Sequence, residues 1–357
     1  LKRLGETTWT TLVMDEAQAI KNPATRRAKA IFALDADFRL ALTGTPMENH
    51  TGELWSIFRA AVPGLLGPQK RFRERFQVPI ERHGDERAKA ALAALISPFL
   101  LRRLKSEVAQ DLPARTDVLV EVELSKPERR RYEQLRASTA AELAKPTSPE
   151  DADQGRRFRV LAALTRLRQL SCHPGLSDPT YEGTSAKLEE LRRRLEELRS
   201  EGHCALVFSQ FTSLLDLVRP VLEADGARTL QLDGRTPAAK RRVLVEAFQA
   251  GEADVFLLSI KAGGTGLNLT AASYVFHLDP WWNPAVEDQA TDRAHRIGQE
   301  QQVTVYRLVA RGTVEESIYA MHDDKRALTD ALLSGATKTG PMAVEDLEAL
   351  LLGTHSG

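Results

Sequence analysis

Apolar positions recur along the chain in two patterns. Short runs of strand length occupy residues 10–14 (TTLVM), 38–42, 205–208, 228–232, 255–258, 274–278 and 303–309. Between them lie stretches with helical spacing. Leu188, Leu191, Leu195 and Leu198 repeat every three or four residues among charges, and Gly202 closes that segment. Residues 53–61 place Leu54, Ile57, Phe58 and Ala61 on one side before Pro63 and Gly64 stop the helix. Runs that alternate with helices predict α/β architecture, with parallel sheets covered on both faces. Residues 117–124 (DVLVEVEL) instead alternate apolar and polar side chains, which predicts an edge strand, placed here as the strand closing a first lobe. A second domain is expected to begin near Ser185. Residues 313–333 read as a closing amphipathic helix, and residues 144–155, with two prolines and three acids, as a loop or short insertion.

Composition narrows the class. The 357 residues suffice for two cores, and the 49 basic and 49 acidic side chains cancel. A balanced total still allows local basic grooves, so nucleic acid is not excluded. Arginine-rich stretches at residues 129–131 and 156–159 read either as solvated helix faces or as the lining of a DNA groove. Two cysteines, Cys172 and Cys204, argue against a disulfide framework or a cysteine-rich zinc site. No apolar run reaches the roughly 20 residues that span a bilayer, so no membrane partner is expected and a cytoplasmic location is.

The candidate chemistry sits at the ends of the runs. Residues 10–14 lead directly into Asp15 and Glu16, an acid pair at a strand tip, where open parallel sheets place their ligands. One carboxylate there could hold Mg²⁺ through water and the other orient an attacking water, although adjacent acids also suit a plain solvated loop. Residues 38–42 lead into Thr43, Gly44 and Thr45, a turn whose hydroxyls could touch or sense phosphate. Residues 257–299 join an apolar run to Gly263, Gly264, Thr265 and Gly266, then to Trp281 and Trp282, then to a helix-like segment with Arg293 and Arg296. Three residues apart on a helix, these arginines would share one face suited to a polyphosphate.

Seven segments together resemble the SNF2 family of superfamily 2 ATPases, the motors of chromatin remodellers and their bacterial relatives. They are MDEAQAIKN (14–22), LTGTPMEN (42–49), FLLRRLKSEV (99–108), LRQLSCHP (167–174), LVFSQFTSLLDLV (206–218), LDGRT (232–236) and the stretch 257–299, in family order across nearly the whole chain. The resemblance implies two RecA-like lobes that bind ATP and Mg²⁺ between them and grip double-stranded DNA. The lobes would occupy residues 1–124, with a helical protrusion at about 64–98, and 185–315, with further helical protrusion and linker at 125–184 and a closing tail at 316–357. Carried over residue by residue, Asp15 organises Mg²⁺ and Glu16 activates water. Arg293 and Arg296 act as arginine fingers, with Gln289 helping to position them. Gln18, where many relatives carry His, contacts the nucleotide side with Gly266 and Asn268 and couples the acids to the turn at Thr43. The DNA-facing set is Lys21, Asn22, Thr43, Gly44, Thr45, Ser209, Gln210, Arg235, Thr236, Lys261, Gly263, Gly264, Thr265 and Trp282, with Trp281 packed inside or both tryptophans in the core. Partners implied beyond DNA are DNA-bound proteins such as RNA polymerase or repair factors, on the nucleoid if the source is bacterial.

One departure matters. No GxxxxGK[ST] loop occurs, and family members carry that loop upstream of the acid pair. The expectation is therefore the C-terminal portion of a longer motor, with a first lobe incomplete at its N-terminus and poor ATP hydrolysis by these residues alone. An ATP-dependent duplex translocase, a strand-separating helicase and a non-enzymatic DNA-binding scaffold all remain open at this point.

Overall fold

The computed structural model describes residues 2–47, 50–103, 105–143, 154–263 and 266–322. These divide into two compact units, built chiefly on residues 2–103 and on residues 105–282 and 286–321.

The first unit contains a two-stranded parallel sheet of β1 (Thr8–Met14) and β2 (Asp35–Ala41), joined through helix α1 (Arg26–Phe32). Thr25 starts α1 by accepting the Ala28 N–H at 3.2 Å, a side-chain cap on an otherwise orphaned donor. Helix α2 (Thr51–Ala61) buries Leu54, Trp55, Ile57 and Phe58. Helices at Gln69–Phe72, Val78–His83 and Glu86–Ile96 (α3) add Phe72, Phe76, Leu92 and Ile96 to one apolar cluster with Leu54, Trp55 and Phe58. The two strands are unlike this core, because Val13, Phe38, Leu40 and Leu42 are all exposed.

The second unit is organised on six parallel strands in the order β3-β8-β7-β4-β6-β5: β3 (Arg115–Val122), β4 (Ala205–Ser209), β5 (Thr229–Leu232), β6 (Val255–Ser259), β7 (Tyr274–His277) and β8 (Val303–Ala310). Every residue of β4 and β6 is buried, which explains why both read as unbroken apolar runs. Around the sheet stand α4 (Lys126–Leu143), α5 (Gln154–Cys172), α6 (Ala186–Ser200), α7 (Thr212–Ala224), α8 (Ala238–Gln249) and α9 (Pro284–Thr291). Ser185 caps α6 by accepting the Leu188 N–H at 3.2 Å, and Leu188, Leu191, Leu195 and Leu198 are buried as their spacing predicts. The fold class expected from the sequence is the one observed.

One strand is reassigned. The alternating segment expected to close the first lobe is β3, and it pairs in parallel with β8, from Arg115 opposite Val303 to Val122 opposite Ala310. Alternation marks an edge strand but does not say of which sheet. Ion pairs accompany the pairing: Arg307 on β8 donates to the Asp117 carboxylate and bonds Glu287 at 3.1 Å, and Arg115 joins Asp117 and Asp288 at 2.8 Å each. Burial pushes the Asp117 carboxyl up, but Arg115 and Arg307 outweigh it and bring it to about 2. The expected closing helix is seen only as helical residues 314–322, and residues 323–333 and most of the expected insertion (144–153) lie outside the described residues.

Candidate functional site

In the first unit the site starts from two strand tips. Leu42 N–H donates to Met14 O at 2.8 Å and Ala17 N–H to Leu42 O at 2.9 Å, which clamps the acid loop to the Thr43 turn. Asp15 is exposed, and its Oδ1 accepts the Glu16 N–H at 2.9 Å. Glu16 has φ 51° and ψ 49°, and among the described residues it alone takes a positive φ without being glycine. Such a backbone costs about 1 kcal/mol and persists where its surroundings hold it, characteristically at functional sites. A relay of hydrogen bonds runs from the Glu16 side chain. Gln18 Nε2 donates to Glu16 Oε2 at 2.6 Å, Thr43 Oγ1 donates to Gln18 Oε1 at 2.6 Å, and Thr45 N–H donates to Thr43 Oγ1 at 3.1 Å. Gln18 thus bonds both Glu16 and Thr43.

Lys21 and Asn22 have structural occupations. Lys21 lies 3.6 Å from the buried carboxylate of Glu53, and Asn22 Oδ1 accepts the Ala24 N–H at 2.9 Å just ahead of α1. Among the described residues no group of three or more His, Cys, Asp or Glu could hold a metal ion. Mg²⁺ does not require such a group, since it keeps waters and phosphate oxygens and needs only one or two carboxylates; Asp15, with Glu16 beside it, could supply them.

In the second unit the parallel strands bring the turns after β4, β5, β6 and β7 to one edge of the sheet, the C-terminal edge. Gln210, Arg235, Thr236, Lys261 and Trp282 all lie there and are exposed or half-buried. Ser209 does not fit its expected role. It is fully buried, its Oγ donates to Asp279 Oδ1 at 2.5 Å, and its hydroxyl is therefore used inside the protein. Arg235 is exposed yet held by Asp216 at 2.8 Å and Asp233 at 2.6 Å, pairs that raise the guanidinium further above its ordinary value. Thr236 Oγ1 accepts the Asp233 N–H at 3.1 Å in the same turn. Lys261 places its ammonium 5.7 Å from the centre of the Trp281 ring. Trp281 and Trp282 are each half-buried, against different apolar clusters. Gly263 ends a short helical turn at Ile260–Gly263, while Gly264 and Thr265 lie outside the described residues. Gly266, at φ 58°, and Asn268 are both exposed.

The arginine pair also departs from expectation. Helix α9 ends at Thr291, so Arg293 and Arg296 lie in the turn beyond it and do not share a helical face. After the Asp292 N–H bond to Asp288 O, the chain tightens to three-residue steps, from Arg293 N to Ala290 O and from Ala294 N to Thr291 O. Arg293 points inward and is buried, Arg296 is exposed, and Gln289 is half-buried on α9. The turn is fixed by a residue given no role from sequence: Gln299 Nε2 donates to Thr270 O, Ala272 O and Ala294 O at 3.1, 2.9 and 3.1 Å.

Two further groups escaped the sequence reading. Glu287 is fully buried and accepts the Trp281 N–H at 2.7 Å, and burial pushes its carboxyl up to about 7 against the pull of Arg307. Lys187, buried on α6, bonds Glu315 at 2.5 Å and the carbonyls of Leu278 and Leu308 at 2.7 and 3.0 Å, pinning the ends of β7 and β8. Both lie among other charged residues, so nothing in the local sequence marks them.

Comparison with known proteins agrees with this geometry. Residues 1–176 match the family model described as SNF2-related domain, and residues 186–298 match the helicase conserved C-terminal domain. The chain is 40% identical to YwqA of Bacillus subtilis, whose name gives it as a provisional ATP-dependent helicase/translocase, over 98% of this chain and 38% of that protein. It is 33% identical to the Saccharomyces cerevisiae DNA repair and recombination protein RAD26, over 99% of this chain and 34% of that one. The chain thus spans less than two fifths of the length of these relatives. Among solved structures it resembles the Sulfolobus solfataricus SWI2/SNF2 ATPase core in complex with dsDNA, at 35% identity and a TM-score of 0.54, covering 99% of this chain and 73% of that one. With its six-stranded parallel sheet and these likenesses, the chain belongs to the SNF2 family of helicase-like proteins.

Proposed function

We propose that this chain is part of an ATP-dependent motor that moves along double-stranded DNA without separating its strands. The observation that carries the reading is the relay from Glu16 through Gln18 to Thr43, which joins the acid that would activate water to a turn that would sense DNA. In this reading Asp15 holds Mg²⁺ through water, which would neutralise phosphate charge, and Glu16 orients the attacking water. Arg293 and Arg296 meet the charge that develops on the transferred phosphoryl group, with Gln289, Gln18, Gly266 and Asn268 on the nucleotide side. DNA is gripped through phosphates, by Thr43 to Thr45 in the first unit and by Gln210, Arg235, Thr236, Lys261, Gly263 to Thr265 and Trp282 in the second. Binding of that kind depends on salt and hardly on base sequence.

The phosphate-binding loop belongs, in this proposal, to a longer protein. The exposed apolar side chains of β1 and β2 and the limited share of the relatives' length that the chain spans support that reading. DNA-bound proteins such as RNA polymerase or repair factors are the proposed obstacles, and the cytoplasm the proposed place of action. Among the described residues no helix is long and apolar enough to cross a membrane.

The test is ATP hydrolysis by the full-length protein with and without duplex DNA, beside Glu16→Gln. The expected result is stimulation by DNA that Glu16→Gln abolishes, together with triplex displacement and no unwinding of a plain duplex. Hydrolysis indifferent to DNA, or efficient unwinding, overturns the proposal.

A further inference from the structure

The segment at residues 167–174 matches the family but has so far received no task. Its second residue, Arg168 on α5, is 3% exposed. Its Nη2 donates to Pro280 O at 2.5 Å and lies 3.8 Å from Asp279 Oδ2. The guanidinium carbon also stands 5.1 Å from the centre of the Trp282 ring and 5.8 Å from that of Phe211. Asp279, itself fully buried, receives Ser209 Oγ at 2.5 Å and the Gln210 N–H at 3.2 Å through its other oxygen. One side chain from a helix therefore meets the loop after β4 and the loop after β7 at once.

Stability alone is a weak reason for such a group, since a buried ion pair can often be replaced by apolar side chains at little cost. Burial lowers the Arg168 guanidinium below the ordinary arginine value, with Asp279 opposing the shift. The contacts are specific to arginine, because a planar fork can bond a carbonyl with one nitrogen while its face covers an aromatic ring. A lysine ammonium, a compact charge, has no planar face and cannot reproduce this geometry.

We infer that Arg168 is a positioning residue that fixes Trp282 and the Ser209–Gln210 turn relative to each other, so that the two loops present one rigid surface to a DNA backbone. The inference deepens the DNA-motor reading above and rests on it for its function. Arg168 is buried and touches no phosphate itself, so it acts only through the loops it holds.

Two measurements on the full-length protein test this. The first is the affinity for a 30-base-pair duplex across a salt series, for Arg168→Lys, Trp282→Ala and the double variant. Arg168→Lys is expected to weaken binding about fivefold, less than the full loss of a desolvated cation–π contact because the ammonium keeps the charge, with an unchanged salt slope. The loss should disappear in the Trp282→Ala background. The second needs no DNA: Arg168→Lys should shift tryptophan emission to longer wavelength, and should not do so when Trp282 is already Phe. Asp279→Asn, which keeps shape and hydrogen-bond acceptance, should repeat both results and serves if Arg168→Lys fails to fold. Unchanged affinity with Arg168→Lys, additive losses in the double variant, or an unchanged emission spectrum overturns the positioning role. If Trp282→Ala binds DNA like the wild type while the emission shift is present, the DNA role of this loop falls instead.

Discussion

Replacing Lys187 by Met probes the buried charge that ties α6 to the sheet. The Nζ is 2.5 Å from Glu315 Oε2, and it also donates to Leu278 O and Leu308 O. Methionine fills most of the space but leaves Glu315, which is fully buried, with only the Ala310 N–H at 2.9 Å and the Cys172 thiol at 3.5 Å. Removing one partner of a buried pair costs about 3–5 kcal/mol, a large part of the 5–15 kcal/mol that typically stabilises a domain. Burial already pushes the Glu315 carboxyl up, with Lys187 opposing, so loss of Lys187 pushes it further. A carboxyl whose folded pKa lies above its unfolded value contributes stability at low pH that is lost as pH rises. The variant's deficit should therefore be greatest above neutrality and shrink towards pH 4.5. Urea unfolding followed by circular dichroism at several pH values measures this, and Lys187→Met with Glu315→Gln should recover most of the loss at pH 7. A deficit below about 1 kcal/mol at pH 7, or one that does not change with pH, refutes the reasoning.

Two other perturbations address the site and the reassigned strand. Gln18→Ala should lower DNA-stimulated ATP hydrolysis by the full-length protein roughly tenfold, since it removes a bond to a charged group worth about 1.5–3 kcal/mol, and Gln18→His should restore most of it because imidazole can donate to Glu16 and accept from Thr43. Steady-state rates with saturating ATP decide it. Asp117→Asn should cost about 1 kcal/mol at pH 7, an amount reduced because the side chain is 42% exposed, and the cost should vanish in acid. The sign follows from a carboxyl held at about 2, below its ordinary 3.8: its contribution is present above pH 4 and lost as pH falls through 2. Comparative urea unfolding at pH 7 and pH 2 measures it.

The strands of the second unit were legible because parallel strands buried on both faces must be apolar throughout, as β4 and β6 are. The acid tip was legible too, since Asp15 and Glu16 follow β1 without a spacer. The assignment of β3 was not, because its partner strand β8, with Arg307, is distant in sequence. The placement of Arg293 and Arg296 failed for a related reason. A spacing of three fits a helical face, but the helix ends at Thr291, where Gln299 gathers the following turn by its carbonyls. Ser209 was assigned to DNA through the family resemblance, and nothing local announces that Asp279 claims its hydroxyl. Arg168 read as one more arginine in a basic stretch, since its partners Asp279, Pro280 and Trp282 come from the far end of the sheet's sequence.

The pairing of β3 with β8 bears on how the protein is made. β3 is the first strand of its sheet to leave the ribosome, and β8 the last. At roughly 5–20 residues per second, β3 emerges about 10–40 s before the only strand it pairs with among those described. Three of its four exposed positions are polar, Thr116, Asp117 and Glu121 beside Leu119, which favours an unpaired ribbon in solution. The sheet can thus assemble from β4 outward and take up its earliest strand last.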